Sequence, residues 1–212
     1  MTEPDLLTDP DAIDPQAVAR YEQLYRRLAP RLQAGEPGLA ERLADLLAAV
    51  MARIDCTACG RCCRHMGPVV DDADAARLAA GLGLSVAGLR RRFLRPMWPG
   101  AAEADQVWLL PAPCPLHDGR LCTVYPRRPQ PCRDFPQAVG ADPVERLAIW
   151  VETAAFCPIT FNTLARWEAE EPDGSHAEDA VGGGFDGRVV AHGEGQSQNA
   201  AGFGRDEDAV VP

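Results

Sequence analysis

CTACGRCCRH, residues 56–65, places four cysteines, Cys56, Cys59, Cys62 and Cys63, within eight positions. Cys114, Cys122, Cys132 and Cys157 follow, and all eight cysteines of the chain lie between residues 56 and 157. Whether these thiols pair, hold a metal or do chemistry decides how the rest of the chain is organised. Cys-x2-Cys-x2-Cys is a chelating spacing, because a tight loop lets thiolates at such intervals converge on one ion. Zinc takes four such ligands in a closed tetrahedron. A [4Fe–4S] cluster takes one thiolate per iron, and the triplet followed by a remote Cys-Pro is the bacterial ferredoxin arrangement. Cys114-Pro115 and Cys157-Pro158 both offer that remote Cys-Pro. Gly60 leaves room where the loop must fold tightly.

The doublet Cys62-Cys63 adds a constraint, since adjacent side chains tend to point apart and one ion would strain to take both. If all eight thiols are ligands, they suggest two four-thiolate sites with Cys63 turned towards the second. A single site with four spare cysteines is the alternative. Arg61, Arg64, Arg120, Arg127, Arg128 and Arg133 lie within a few residues of a cysteine. They are candidates to offset the negative charge of a thiolate site and to bond its sulfurs. His65 is an alternative ligand, although a plain exposed histidine is the favoured reading, and His117 reads as a turn residue. A cysteine nucleophile would need one of these two histidines as its base.

Working outward, the chain is 212 residues long with 46% apolar residues, enough for one domain with extensions and a real core. No run of 18 apolar residues occurs, so nothing is expected to span a membrane. The opening MTEPDLLTDPDAIDP has neither the basic nor the apolar region of a secretory signal. A cytoplasmic, reducing location is expected, where clustered cysteines favour metal over disulfides. The net charge of −10 is uneven: residues 1–15 carry −5, residues 16–167 carry +4 and residues 168–212 carry −9. Both ends read as disordered acidic tails, the second also Gly-rich.

Helical spacing is expected from Gln16 to Ala29, ended by Pro30, and again from about Gly38 to Ile54, the two packing as an antiparallel pair. The cysteine loop is expected to be irregular. Asp71 or Asp72 and then Ser85 read as N-caps of two short helices, the first stopped at Gly81 or Gly83 and the second ending before Pro96. QVWLL reads as a strand, and residues 106–125 as a hairpin about an Asp-Gly turn whose arms carry Cys114 and Cys122. YPRRPQPCRDFP is too Pro-rich for regular structure, LAIWVETAA reads as a strand, and a last helix is expected near Ile159–Glu170. GLGLSVAG lacks the glycine spacing of a dinucleotide loop. RRRFLR is a short basic run in an acidic protein, so nucleic acid is an unfavoured partner.

CTACGRCC, PCPLHDGRLCTVYPRRPQPCRDFP and FCP together resemble the CxxCxxCC domain of the YkgJ-like cysteine-cluster proteins, a family described as zinc- or iron-chelating. The likeness covers about residues 54–160, including the helical spacer VVDDADAARLAAGLGLSVAGLRRRFL. Tyr125, Arg128, Pro129, Cys132, Arg133 and Phe135 match the family's Tyr-x-x-Arg-Pro-x-x-Cys-Arg-x-Phe segment. The resemblance implies that all eight cysteines are metal ligands. A related domain accompanies flagellin lysine methylases, but no SAM-binding Gly-rich loop is present here.

The expectation is therefore an α+β fold: a small, mainly helical, metal-organised domain with a short hairpin and disordered acidic tails. Its parts are an N-terminus at 1–15, a helical hairpin at 16–53 that packs on the core, a cysteine-cluster domain at 54–167 and a tail at 168–212. An iron–sulfur cluster is slightly favoured over zinc, in a structural or redox role. An oxidoreductase, a methyl-transfer-associated enzyme and a zinc-stabilised module for an unidentified protein partner stay open. Enzymatic activity and oligomeric state are left undecided.

Overall fold

A computed structural model describes residues 5–102, 106–119 and 121–171. The chain divides into two units, Met1–Gly182 and Gly183–Pro212, and the described residues belong to the first. The fold is mainly helical with one small three-stranded sheet.

Four helices build the larger core. Helix α1 (Pro15–Gln33) starts at Asp14, whose carboxylate accepts from the Gln16 N–H at 2.9 Å, with Pro15 in the first turn where a missing N–H costs nothing. It buries Tyr21, Leu24, Leu28 and Leu32. Pro30, expected to end it, lies inside it, because Leu32 continues the stripe of Leu24 and Leu28 and its burial outweighs the lost backbone bond. Helix α2 (Leu39–Met51) buries Leu39, Leu43, Leu47 and Val50. The expected pairing of these two helices is secondary: α1 packs chiefly on helix α7 (Pro143–Thr153) and α2 on helix α8 (Pro158–Glu170). The Tyr21 ring meets Phe161 edge-on at 5.8 Å and its hydroxyl donates to the Phe161 carbonyl.

Helix α7 replaces an expected strand. Asp142 caps it through the N–H groups of Val144 and Glu145, Pro143 opens it, and Leu147 and Trp150 are buried one turn apart. These helical signals override the β-prone composition of LAIWVETAA. Residues 5–13 also depart from a solvated tail. Leu6 and Leu7 pack against the core, Ile13 is buried, and Asn162 exchanges two hydrogen bonds with the Leu7 backbone at 3.0 and 2.7 Å. Three apolar side chains among the acids suffice to dock this strip. Of the rest of the expected tails, Asp14 and Pro15 open α1, residues 168–170 belong to α8 with Glu171 as its C-cap, and residues 1–4 and 172–212 lie outside the described residues.

The smaller core lies around helix α4 (Asp72–Leu82), helix α5 (Val86–Phe93) and the sheet. Asp71 and Ser85 cap the two helices, and Gly83, at φ 66°, closes α4 in a left-handed conformation suited to glycine. Strand β3 (Trp108–Leu109) is central, antiparallel to β1 (Val69–Val70) and to β2 (Arg95–Pro96). The expected 106–125 hairpin is thereby corrected: β3 has partners on both sides, and among the described residues the His117–Cys122 bridge is what pairs the chain across the Asp-Gly turn. Among the described residues no single helix is long and apolar enough to cross a membrane.

Candidate metal centre

The cysteine segment is regular, not an irregular loop. Asp55 accepts from the Thr57 N–H and hydroxyl at 2.9 and 2.7 Å, which sets the 3₁₀ turn Cys56–Ala58. Gly60, at φ 63°, then redirects the chain into helix α3 (Cys62–His65). Two successive turns therefore present Cys56, Cys59, Cys62 and Cys63.

Three further segments approach them. The Cys114 N–H donates to the Cys63 carbonyl at 2.7 Å. His117 donates its N–H to the Cys114 carbonyl, and Tyr125 donates to that of Cys122. The Pro-rich stretch is also more ordered than its prolines suggest. It forms a 3₁₀ turn, Tyr125–Arg127, and helix α6 (Gln130–Asp134), with Pro126 and Pro131 in first turns where their missing N–H is tolerated. Arginines tie it together. Arg128 donates to the Cys132 and Tyr125 carbonyls and lies 3.9 Å over the Tyr125 ring, while Arg133 donates to the Arg128 and Pro126 carbonyls. Cys157 is buried at the bend between α7 and α8, and its carbonyl accepts from the Phe161 N–H and the Thr160 hydroxyl.

All eight cysteines are free thiols. Cys56 is exposed as a residue, yet the groups crowding its sulfur desolvate the thiol and push it up to about 11, with the thiols of Cys157 and Cys59 acting in the same direction. Burial raises Cys114 to about 11 and Cys132 to about 12, the latter also facing Cys63, Cys114 and Cys122. Cys122 and Cys157 are raised by burial as well. The doublet behaves differently. The two thiols act on each other in opposite senses, raising Cys62 and lowering Cys63, and Arg128 and Arg64 help to hold Cys63 down. These mutual influences place Cys56, Cys59 and Cys157 as one neighbourhood and Cys63, Cys114, Cys122 and Cys132 as another. Cys62 reaches both, through Cys56 and Cys132.

Of the arginines singled out by sequence, Arg128 faces thiols of both groups and Arg64 faces Cys63. Arg61 pairs with Asp11, and the Arg127 side chain lies against Gly81. Arg120 lies outside the described residues. His65 is exposed and stacks on Phe156 at 4.9 Å. His117 accepts from the Gly119 N–H at Nδ1, while its Nε2 is buried with no hydrogen-bond partner among the described residues.

The donor chemistry fits zinc or iron, since thiolates are soft ligands suited to both. Thiols with raised pKa values stay protonated in the metal-free protein, so binding displaces protons. Among the described residues no three Cys, His, Asp or Glu side chains already surround a common point as ligands.

Sequence reasoning missed Asp74. It is 1% exposed, on the inward face of α4, ion-paired with Arg77, and both its oxygens accept from the Gln130 N–H at 3.1 and 3.0 Å. The available signal was a third carboxylate in DDAD, on the stripe that also carries Leu78.

Residues 55–158, which include every cysteine, match the CxxCxxCC family model, described as "Putative zinc- or iron-chelating domain". No curated protein and no solved structure matches the chain.

Proposed function

With residues 55–158 a CxxCxxCC domain, we propose that this protein holds iron or zinc through cysteine thiolates in two centres. The first takes Cys56, Cys59, Cys62 and Cys157; the second takes Cys63, Cys114, Cys122 and Cys132. One observation carries the reading: eight free thiols from four separate segments influence one another at the junction of two cores. Cys157 belongs to the first core, while Cys114 and Cys122 pack on the second. Ligation would therefore fasten the two cores together.

An iron–sulfur cluster is favoured over zinc by the Cys-x2-Cys-x2-Cys triplet, the Cys-Pro at 157–158 and the all-thiolate donor set. Zinc would supply a closed structural tie; a cluster would supply one-electron transfer. The residues themselves do the rest. Arg128 and Arg64 offset thiolate charge. The role proposed is structural or redox, in a reducing cytoplasm that keeps the thiols available. A zinc-stabilised module for a protein partner is the second reading, favoured by donor sets that leave no open position for substrate.

Anaerobic purification, with iron, zinc and acid-labile sulfide measured beside the visible spectrum, tests this. About four irons and four sulfides per centre, with absorbance near 400 nm bleached by dithionite, support the cluster. One or two zincs in a colourless protein support the scaffold. A protein without metal, its thiols oxidised in pairs, overturns both.

A further inference from the structure

Helix α6, which carries Cys132, lacks a cap of its own. Its N-cap is Pro129, which offers no side-chain hydrogen bond, and the helix is only five residues long. A helix this short does not hold its shape by propensity alone. Its leading N–H, that of Gln130, is taken by a carboxylate 56 residues away in sequence, both oxygens of Asp74 lying within 3.1 Å. Asp74 is held in turn: its own N–H donates to Asp71 at 2.6 Å, and Arg77, one turn on, neutralises it. A carboxylate that is 1% exposed is costly to bury unless it is paired and bonded in this way. The neighbouring turn is seated on the same helix, where the Arg127 side chain fits against Gly81 so closely that a Cβ there would meet its Cδ at 2.6 Å.

We infer that Asp74 is a positioning residue: from α4 it caps α6 and so fixes where Cys132 presents its thiol. The inference rests on the reading of Cys132 as a ligand only for its effect on metal; the placement of α6 holds without it. Asp74 touches no ligand and acts through the Gln130 backbone. Its removal should therefore disturb Cys132 selectively and leave Cys56, Cys59 and Cys157, reached by other segments, where they are.

The test is residue-resolved thiol alkylation, read by mass spectrometry on the full chain, metal-free and after loading with zinc, alongside zinc affinity by chelator competition. Asp74→Ala should speed alkylation of metal-free Cys132 about tenfold and weaken zinc by about 10–100-fold, the range found for outer-shell partners. Asp74→Asn retains one acceptor for the Gln130 N–H and should fall between wild type and alanine. Unchanged alkylation of Cys132 in both variants overturns the inference. So does a uniform rise at all eight cysteines in both, since that is plain loss of fold. If wild type takes no metal yet Cys132 alone is exposed by Asp74→Ala, the metal reading fails and the positioning role stands.

Discussion

The backbone N–H of Cys114 meets the carbonyl oxygen of Cys63 at 2.7 Å. This bond joins the short helix of the cysteine segment to the loop that follows the sheet. Cys63 acts electrostatically on Cys114, Cys122 and Cys132, while Cys62 feels Cys56 as well as Cys132. Cys63→Ser and Cys59→Ser should therefore each remove the metal of one centre and spare the other, leaving about half the wild-type content with soluble protein reduced in both. Elemental analysis of the two variants checks this. Complete loss in both would mean a single centre, and unchanged content would strike that residue from the ligand set.

His65 sits two positions past Cys63, but its ring lies flat on Phe156, 4.9 Å between centroids at 13°. The stack links the cysteine segment to the residue before Cys157 without using a ring nitrogen. His65→Ala should leave the metal content intact and lower stability by at most about 1 kcal/mol, the scale of a partly exposed ring pair. Metal analysis and a urea midpoint separate the two effects. Lost metal would place His65 among the ligands.

Trp150, 1% exposed, donates its indole N–H to the Pro136 carbonyl at 2.7 Å. The bond ties α7 to the chain leaving α6. Trp150→Phe keeps an aromatic body but strands that carbonyl and leaves space, so a loss of about 2–4 kcal/mol is expected. Chemical denaturation of the metal-free protein measures it. A loss under about 0.5 kcal/mol would show that the carbonyl finds another donor.

What the sequence made legible was local. The caps at Asp71 and Ser85, the final helix and the chelating spacing each depend on residues within one turn or one loop. The misreadings arise where burial overrules local preference. Pro30 continues α1 because Leu32 has a place in the core, and LAIWVETAA is helical because Leu147 and Trp150 face inward behind the Asp142 cap. Leu6, Leu7 and Ile13 were hidden by the acids around them. In the candidate site the eight thiols could be named from spacing and resemblance. Which of them are neighbours was only partly visible, because it depends on which segments meet, as Cys63 and Cys114 do. Asp74 is a carboxylate on an apolar stripe, a signal the sequence reading passed over, and its partner Gln130 lies too far along the chain for spacing to suggest.

The last turn of α1 is tied to the end of α8 by charge. Arg31 donates to Glu36 through two nitrogens at 2.7 Å and to Glu171 at 3.0 Å, and Arg42 donates to the other oxygen of Glu171 at 3.0 Å. Burial pushes the Glu171 carboxyl up, but the bonds and charges of Arg31 and Arg42 outweigh it, and the net shift is downward. Glu36 is lowered chiefly by its bond from Arg31. A carboxylate with a lowered folded pKa stabilises the fold fully above its unfolded value, about 4.3, and loses that contribution as pH falls through the folded value. Arg31→Gln should therefore be less stable than wild type at pH 7, with the gap closing as pH drops through the carboxylate range towards about 3. Exposed pairs are screened by salt, so the gap should also narrow in high salt. Urea midpoints of the metal-free proteins at both pH values keep proton-driven metal release out of the comparison. A gap that stays the same in acid would mean that Arg31 acts through packing of its stem against the helix ends, not through its charge.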